Sequence, residues 1–165
     1  MFFVQIAKNI HNYLSRLAES TVSRKTTKLL MNVESRQGHL SSMENDLMGL
    51  VEIIREFPQP RPALLEHLVE SLDTMLLTAI EAVNNNDEME YQMLGNMTGD
   101  RSDVIRELRQ KYLAAEQNMD TDSRIKLMQA SNIFSRIVWQ LGSFSGLARD
   151  AASKGESSPE PAAAI

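Results

Sequence analysis

The chain has 165 residues, no cysteine and a formal net charge of −5. This length predicts about one domain with its own core, and the lack of cysteine excludes disulfides, thiolate catalysis and cysteine-containing zinc sites. Hydrophobic residues make up 42% of the chain, whereas it has only 7 glycines and 5 prolines. Such sparse turn residues favour long helices over many short strands.

Charge is unevenly distributed along the sequence. Residues 1–36 hold six basic and two acidic side chains, whereas residues 37–123 hold six basic and 17 acidic ones. The acidic middle disfavours nucleic acid as a partner, because phosphates bind clustered basic groups. The basic start suits an anionic membrane surface or an acidic partner. Because the sequence has no run of 18 apolar residues and no signal peptide pattern, we expect a cytoplasmic protein without a transmembrane helix.

Residues 2–20 have apolar side chains at intervals of three and four, which predicts an amphipathic helix. Two interpretations apply: a first helix of the bundle, which we favour, or an arm that lies on a membrane or a partner. The apolar positions are Phe3, Ile6, Ile10, Tyr13 or Leu14, and Leu17.

Two further helices follow, separated by prolines. From Leu29 to Phe57 the apolar residues repeat every 3.5 positions, as in a long helix of an antiparallel bundle. The three prolines of residues 58–62 predict a stiff connector, and Pro62 suits the first turn of the next helix. That helix is predicted to reach Val83, before a turn at residues 84–87.

The second half predicts two more long helices. One runs through Leu94 and Tyr112 with Arg101 in an apolar register, and a polar turn at residues 118–123 precedes the last helix. Gly142 and Gly146 predict a close helix crossing there. The predicted fold is therefore an all-α, up-and-down antiparallel bundle of four long helices plus the N-terminal helix. We assign residues 1–20 to that helix, 21–150 to the bundle and 151–165 to a disordered tail.

We expect no enzyme activity, because the sequence assembles no nucleophile, base and orienting group. None of the three histidines has a glutamate three residues before it, so a carboxylate di-iron site is not expected. Acidic pairs four apart could bind a divalent cation, but a solvated face explains them better, and we predict no metal and no cofactor. These pairs are Glu52/Glu56, Glu66/Glu70, Asp103/Glu107 and Glu116/Asp120.

Methionines recur at a spacing of four at Met89, Met93 and Met97. They predict either an exposed partner groove or ordinary gap filling in the core, and we favour gap filling.

The least generic residues form two blocks, 98–106 and 132–139. The first contains Asp100, Arg101, Asp103 and Arg106, and the second contains Arg136 and Trp139. One hypothesis is an anion or partner contact at a bend. We favour a structural role, in which Thr98 and Gly99 relax a long helix while Arg101 and the acids pair with polar residues of the last helix, with Arg136 as a candidate. Trp139 is then an anchor in the core or at its rim.

These blocks resemble the C-terminal cytoplasmic region of bacterial sodium/phosphate cotransporter family proteins, which is PhoU-like. The resemblance rests on Thr98-Gly99-Asp100-Arg101-Ser102, Ile105-Arg106 and Tyr112-Leu113, followed by Phe134-Ser135-Arg136-Ile137-Val138-Trp139. It is best over residues 90–148 and weaker over 25–85. Metal-binding PhoU-like proteins repeat an acidic E/D-x-x-x-D motif, which this chain offers here once, at Glu116 and Asp120, so no metal is implied.

The resemblance implies a regulatory or accessory domain linked to anion transport, such as phosphate transport, at the inner face of the cytoplasmic membrane. The implied partner is a membrane transporter or its transmembrane part, with peripheral membrane contact through residues 1–20 and a homodimer as further expectations. The chain would be a detached domain or the end of a longer protein. The alternative is a free-standing helical adaptor or self-assembling bundle that binds partner helices.

Overall fold

The structure is a computed structural model that describes residues 8–10, 12–16, 24–99, 106–107, 110–112, 114 and 119–155. Four helices carry its architecture: α1 (Arg24–Glu56), α2 (Ala63–Asn85), α3 (Glu88–Met97) and α4 (Thr121–Gly155). No strand occurs in these ranges, which confirms the all-α prediction. The other described residues up to 114 that lie outside α1–α3 and their connections are helical too.

The helix ends follow from capping chemistry. α2 begins directly after Pro62, whose carbonyl accepts a hydrogen bond from the Glu66 amide. It ends at Asn86, whose φ of 50° lies in the left-handed region that asparagine tolerates. The Asp87 carboxylate then accepts from the Met89 amide at 2.8 Å and caps α3. The proline connector and the turn at residues 84–87 are therefore confirmed.

Two boundaries differ from the sequence expectation. α3 ends at Met97, with Thr98 as its C-cap, so Thr98 and Gly99 do not lie inside a long helix. The cause is local, because the Thr98 hydroxyl bonds to the Leu94 carbonyl at 2.8 Å and the backbone then turns away. At the other end, α4 continues to Gly155, beyond the limit of 150 predicted for the bundle.

α4 is the central helix, since it packs against α1, α2 and α3. All seven apolar positions that predicted its inner face are buried. This row is Leu127, Ala130, Phe134, Ile137, Leu141, Phe144 and Ala148. Burial of such a row supplies most of the stability of an amphipathic helix, at about 25 cal/mol per Å² of apolar surface.

The predicted apolar stripe of α1 is buried over only part of its length. Met43, Leu50 and Phe57 lie in the core, whereas Leu29 and Leu40 are exposed. The remaining predicted long helix lies mostly in residues 100–118, of which the structure describes six. One of these, Tyr112, has its ring 5.6 Å from that of His67 on α2. The four-helix up-and-down arrangement remains a prediction.

Candidate functional site

A row of polar side chains joins α1 to α4. Asn32 donates through Nδ2 to the carbonyl of Leu147 at 3.1 Å, and further along α1 the Gln140 Nε2 donates to Ser42 Oγ at 2.7 Å. We call this row the polar seam; its residues are Asn32, Ser42, Asp46, Arg136 and Gln140. Residue numbers rise along α1 as they fall along α4, so the two helices are antiparallel.

The centre of the polar seam is an ion pair between Asp46 and Arg136. The guanidinium Nε lies 3.2 Å from each oxygen of the carboxylate, and Nη2 also donates to Oδ1. The hydrogen bonds from Arg136 hold the pKa of Asp46 below its usual range, and the same bonds raise the pKa of Arg136. The Asp46 side chain is 13% exposed and that of Arg136 is 57% exposed, so the pair lies at the edge of the interface.

Gln140 connects this ion pair to the interior. Its Nε2 also donates to Asp46 Oδ2 at 3.1 Å, and the residue is only 4% exposed. Its Oε1 is buried without a hydrogen-bond partner. A buried acceptor in that state costs about 1–3 kcal/mol, so an apolar residue would be more stable at this position. The polar seam is therefore better suited to fixing the alignment of the helices than to adding stability.

Trp139 lies at the outer rim of the α1–α4 interface. Its side chain is 64% exposed, and its ring meets that of His39 edge to face, with centroids 5.5 Å apart. Such aromatic contacts contribute about 0.5–1.5 kcal/mol beyond area burial. Of the two positions considered from the sequence, core or rim, the structure places Trp139 at the rim.

The remaining predicted site residues are less defined. Asp100, Arg101 and Asp103 lie outside the described residues, and Arg106 is helical and exposed. The acidic partner that the structure gives Arg136 is Asp46, which sequence reasoning did not single out. A signal for it was present, because Asn32, His39 and Asp46 recur every seven residues, as positions on one helix face of a bundle do.

Thr98 connects the start of the first block to α4. A Cβ built on Gly142 would lie 2.9 Å from Thr98 Oγ1, closer than real Cβ atoms come to other atoms, whereas one built on Gly146 meets nothing within 4 Å. Two residues from Gly142 on α4, Gly95 of α3 faces the Ser145 hydroxyl, which donates to the Tyr91 carbonyl. The predicted close crossing therefore occurs, and of the two glycines Gly142 is the one that it requires.

A second surface of interest is apolar and exposed. We call the exposed row on α2 the apolar face; its residues are Val69, Leu77, Ile80 and Val83. Met89 and Met93 of α3 are exposed as well, so both point away from the core that we favoured for them. Exposed apolar side chains that recur along a helix are typical of protein interaction surfaces.

Other kinds of site were considered in the part of the chain that the structure describes. There, no three histidine, aspartate or glutamate side chains are grouped closely enough to hold a metal ion. No described helix has the length and hydropathy to cross a membrane. Comparison of the chain with protein-family models, with curated proteins and with solved structures finds no match in any of the three.

Proposed function

We propose that the chain is a non-enzymatic, all-α regulatory domain that acts by binding another protein. The observation that carries this proposal is the exposed apolar surface of α2 and α3. Ile80 is 56% exposed and Met89 is 76% exposed, although both belong to helices that pack on the core of the molecule. A helix that already buries one face and exposes apolar residues on another can contact a partner without refolding.

The proposed partner is a membrane transporter of an anion such as phosphate, and the proposed place of action is its cytoplasmic face. Support for this step comes from the sequence, namely the block that begins at Thr98 and the block that contains Arg136 and Trp139. The contact between Thr98 and Gly142 is compatible with one functional unit, because it joins the start of the first block to the helix that carries the second. The basic residues 1–36 suit a position beside an anionic membrane.

The test is an immunoblot of membrane and soluble fractions from the source cells, probed with an antibody against residues 90–148. The proposal predicts a band in the membrane fraction, either at 18.6 kDa together with a co-purifying transporter or at several times that mass. A membrane band that survives a carbonate wash separates an integral protein from a peripheral one. A single band at 18.6 kDa in the soluble fraction would contradict the transporter link.

The second candidate is a free-standing adaptor that binds partner helices. The exposure of Met89 and Met93 favours it, because unbranched methionines adapt to helices of varied shape. Here Met89→Glu should abolish capture of partner proteins by the immobilised full chain, whereas Met128→Glu, at an exposed methionine on α4, should not. Equal capture by both variants would argue against this surface.

A further inference from the structure

The apolar face of α2 leaves four large side chains in water. They lie among exposed acids, because Glu66, Asp73 and Glu81 occupy the same side of the helix. A helix that covers this face needs apolar side chains in the same order and basic side chains beside them. The face itself thus specifies the chemistry of its occupant, a basic amphipathic helix.

Such a helix is present in this chain. Residues 8–10 and 12–16 are helical, and Ile10 and Tyr13 on them are exposed. In the sequence, this apolar row continues to Phe3 on one side and to Leu17 on the other. Residues 8–16 include two basic side chains and no acidic one. The segment therefore has the composition that the apolar face requires.

The two rows also match in length and charge. Residues 3–17 and 69–83 span the same number of positions, roughly 21 Å of helix each. A parallel alignment of these ranges brings Lys8 within one residue of Asp73, and Arg16 within one residue of Glu81. In the antiparallel alignment Lys8 falls level with Thr78, which is buried. Charge complementarity therefore selects the parallel alignment.

We propose that the N-terminal helix, residues 2–20, of a second copy of this chain docks on the apolar face of α2. Within one chain, both Ile10 and the apolar face are exposed, so a second copy provides the cover that the chain does not give itself. Each copy offers one helix and one face, so the exchange is reciprocal and closes a two-fold dimer. The proposal is independent of the identity of any transporter.

The first experiment measures the mass of the full chain by sedimentation equilibrium over a dilution series at low salt. The wild-type chain should be a dimer that dissociates on dilution. Ile80→Glu on α2 and Ile10→Glu on the N-terminal helix should each raise the dimer dissociation constant at least about tenfold, since each places a charge in an apolar contact. Ile125→Glu is the matched control, because Ile125 is an exposed isoleucine on α4, and it should leave the constant unchanged.

A charge exchange tests the alignment. Lys8→Glu and Asp73→Lys should each weaken the dimer, and the double variant should recover most of the lost affinity. Circular dichroism should show unchanged helix content in every variant, since all these positions are exposed. A wild-type chain that stays monomeric would overturn the proposal, as would equal effects of Ile80→Glu and Ile125→Glu. Binding of the monomer to anionic vesicles through Ile10 would assign the helix to a membrane instead and would overturn it too.

Discussion

α4 meets its neighbours in two different ways. Toward α2 and α3 it presents Leu127, Ile137 and Leu141, each no more than 1% exposed. Toward α1 it presents Arg136 and Gln140, which pair with polar side chains. Apolar packing stabilises strongly but is not directional, whereas hydrogen bonds and ion pairs stabilise little and require one geometry. The difference suggests that one side of α4 holds the fold together while the other side sets the alignment of the helices.

The largest effect is expected on the apolar side. Leu141→Ala should lower the free energy of unfolding by about 2–5 kcal/mol, because it removes buried methyl groups and leaves a cavity. Ser42→Ala, a truncation on the polar side, should cost less than about 1.5 kcal/mol. Urea denaturation of both variants measures the contrast. Equal losses would remove the distinction between the two sides.

The contact between Thr98 and Gly142 should give the next largest effect. Gly142→Ala places a methyl group 2.9 Å from Thr98 Oγ1, and overpacking of this kind costs about 1–3 kcal/mol, partly offset by better helix propensity. Gly146→Ala is the control on the same helix, and it should stabilise by up to about 1 kcal/mol because its Cβ meets no neighbour. The same sign of change in both variants would mean that Thr98 moves aside at little cost.

The ion pair of the polar seam should contribute less. Asp46→Ala is expected to cost about 1–3 kcal/mol, because it leaves the Gln140 amide without one of its acceptors. Arg136→Ala should cost less than about 1 kcal/mol, because a side chain that is 57% exposed is screened by solvent. Measured by a double-mutant cycle, a loss near 3 kcal/mol for Arg136→Ala would indicate a desolvated pair instead.

The pH dependence of the Asp46 contribution has a definite sign. The pKa of Asp46 is lowered in the folded state by the hydrogen bonds from Arg136, so its stabilising effect is present above the unfolded pKa of about 3.9. The effect is lost as the pH falls through the lower folded-state pKa. The difference in unfolding free energy between wild type and Asp46→Asn should therefore be largest at pH 7 and shrink below about pH 4. A difference that does not change with pH would exclude the ion pair as its source.

Trp139→Ala should give the smallest change, below about 1.5 kcal/mol, because the ring is exposed and its recorded aromatic partner is His39. The intrinsic fluorescence of the chain, which has one tryptophan, reports its surroundings directly. Emission typical of a solvated indole is expected in the folded state. A strongly blue-shifted emission would place Trp139 in an apolar contact, as a bound partner would.

The sequence predicts local features of this fold well and lateral ones poorly. The proline connector, the turn near Asn86 and the inner face of α4 depend on backbone chemistry and helical spacing, and all three are confirmed. The pairing of Asp46 with Arg136 was missed, because the two residues lie 90 positions apart and spacing within one helix does not identify its neighbour. The exposure of Leu40 was missed for the same reason.

The end of α3 shows a different limit. The apolar spacing continues through Thr98, so periodicity alone predicts one long helix. Thr98 instead bonds to the carbonyl of Leu94 and packs against Gly142, which ends the helix. A short hydroxyl side chain and a glycine on another helix act together here. Neither residue is decisive by itself in the sequence.

The most direct test of the central claim is a cross-linking measurement on the alignment of α1 and α4. The chain has no cysteine, so a pair introduced by Gly49→Cys and Ile133→Cys reports the native alignment, and Glu56→Cys with Ile133→Cys reports a shift of seven residues. With the polar seam intact, cross-links should form at the first pair and not at the second. With Asp46, Arg136 and Gln140 all replaced by leucine, both pairs should cross-link. Cross-links confined to the first pair in the replaced chain would show that apolar packing alone sets the alignment and would contradict the account.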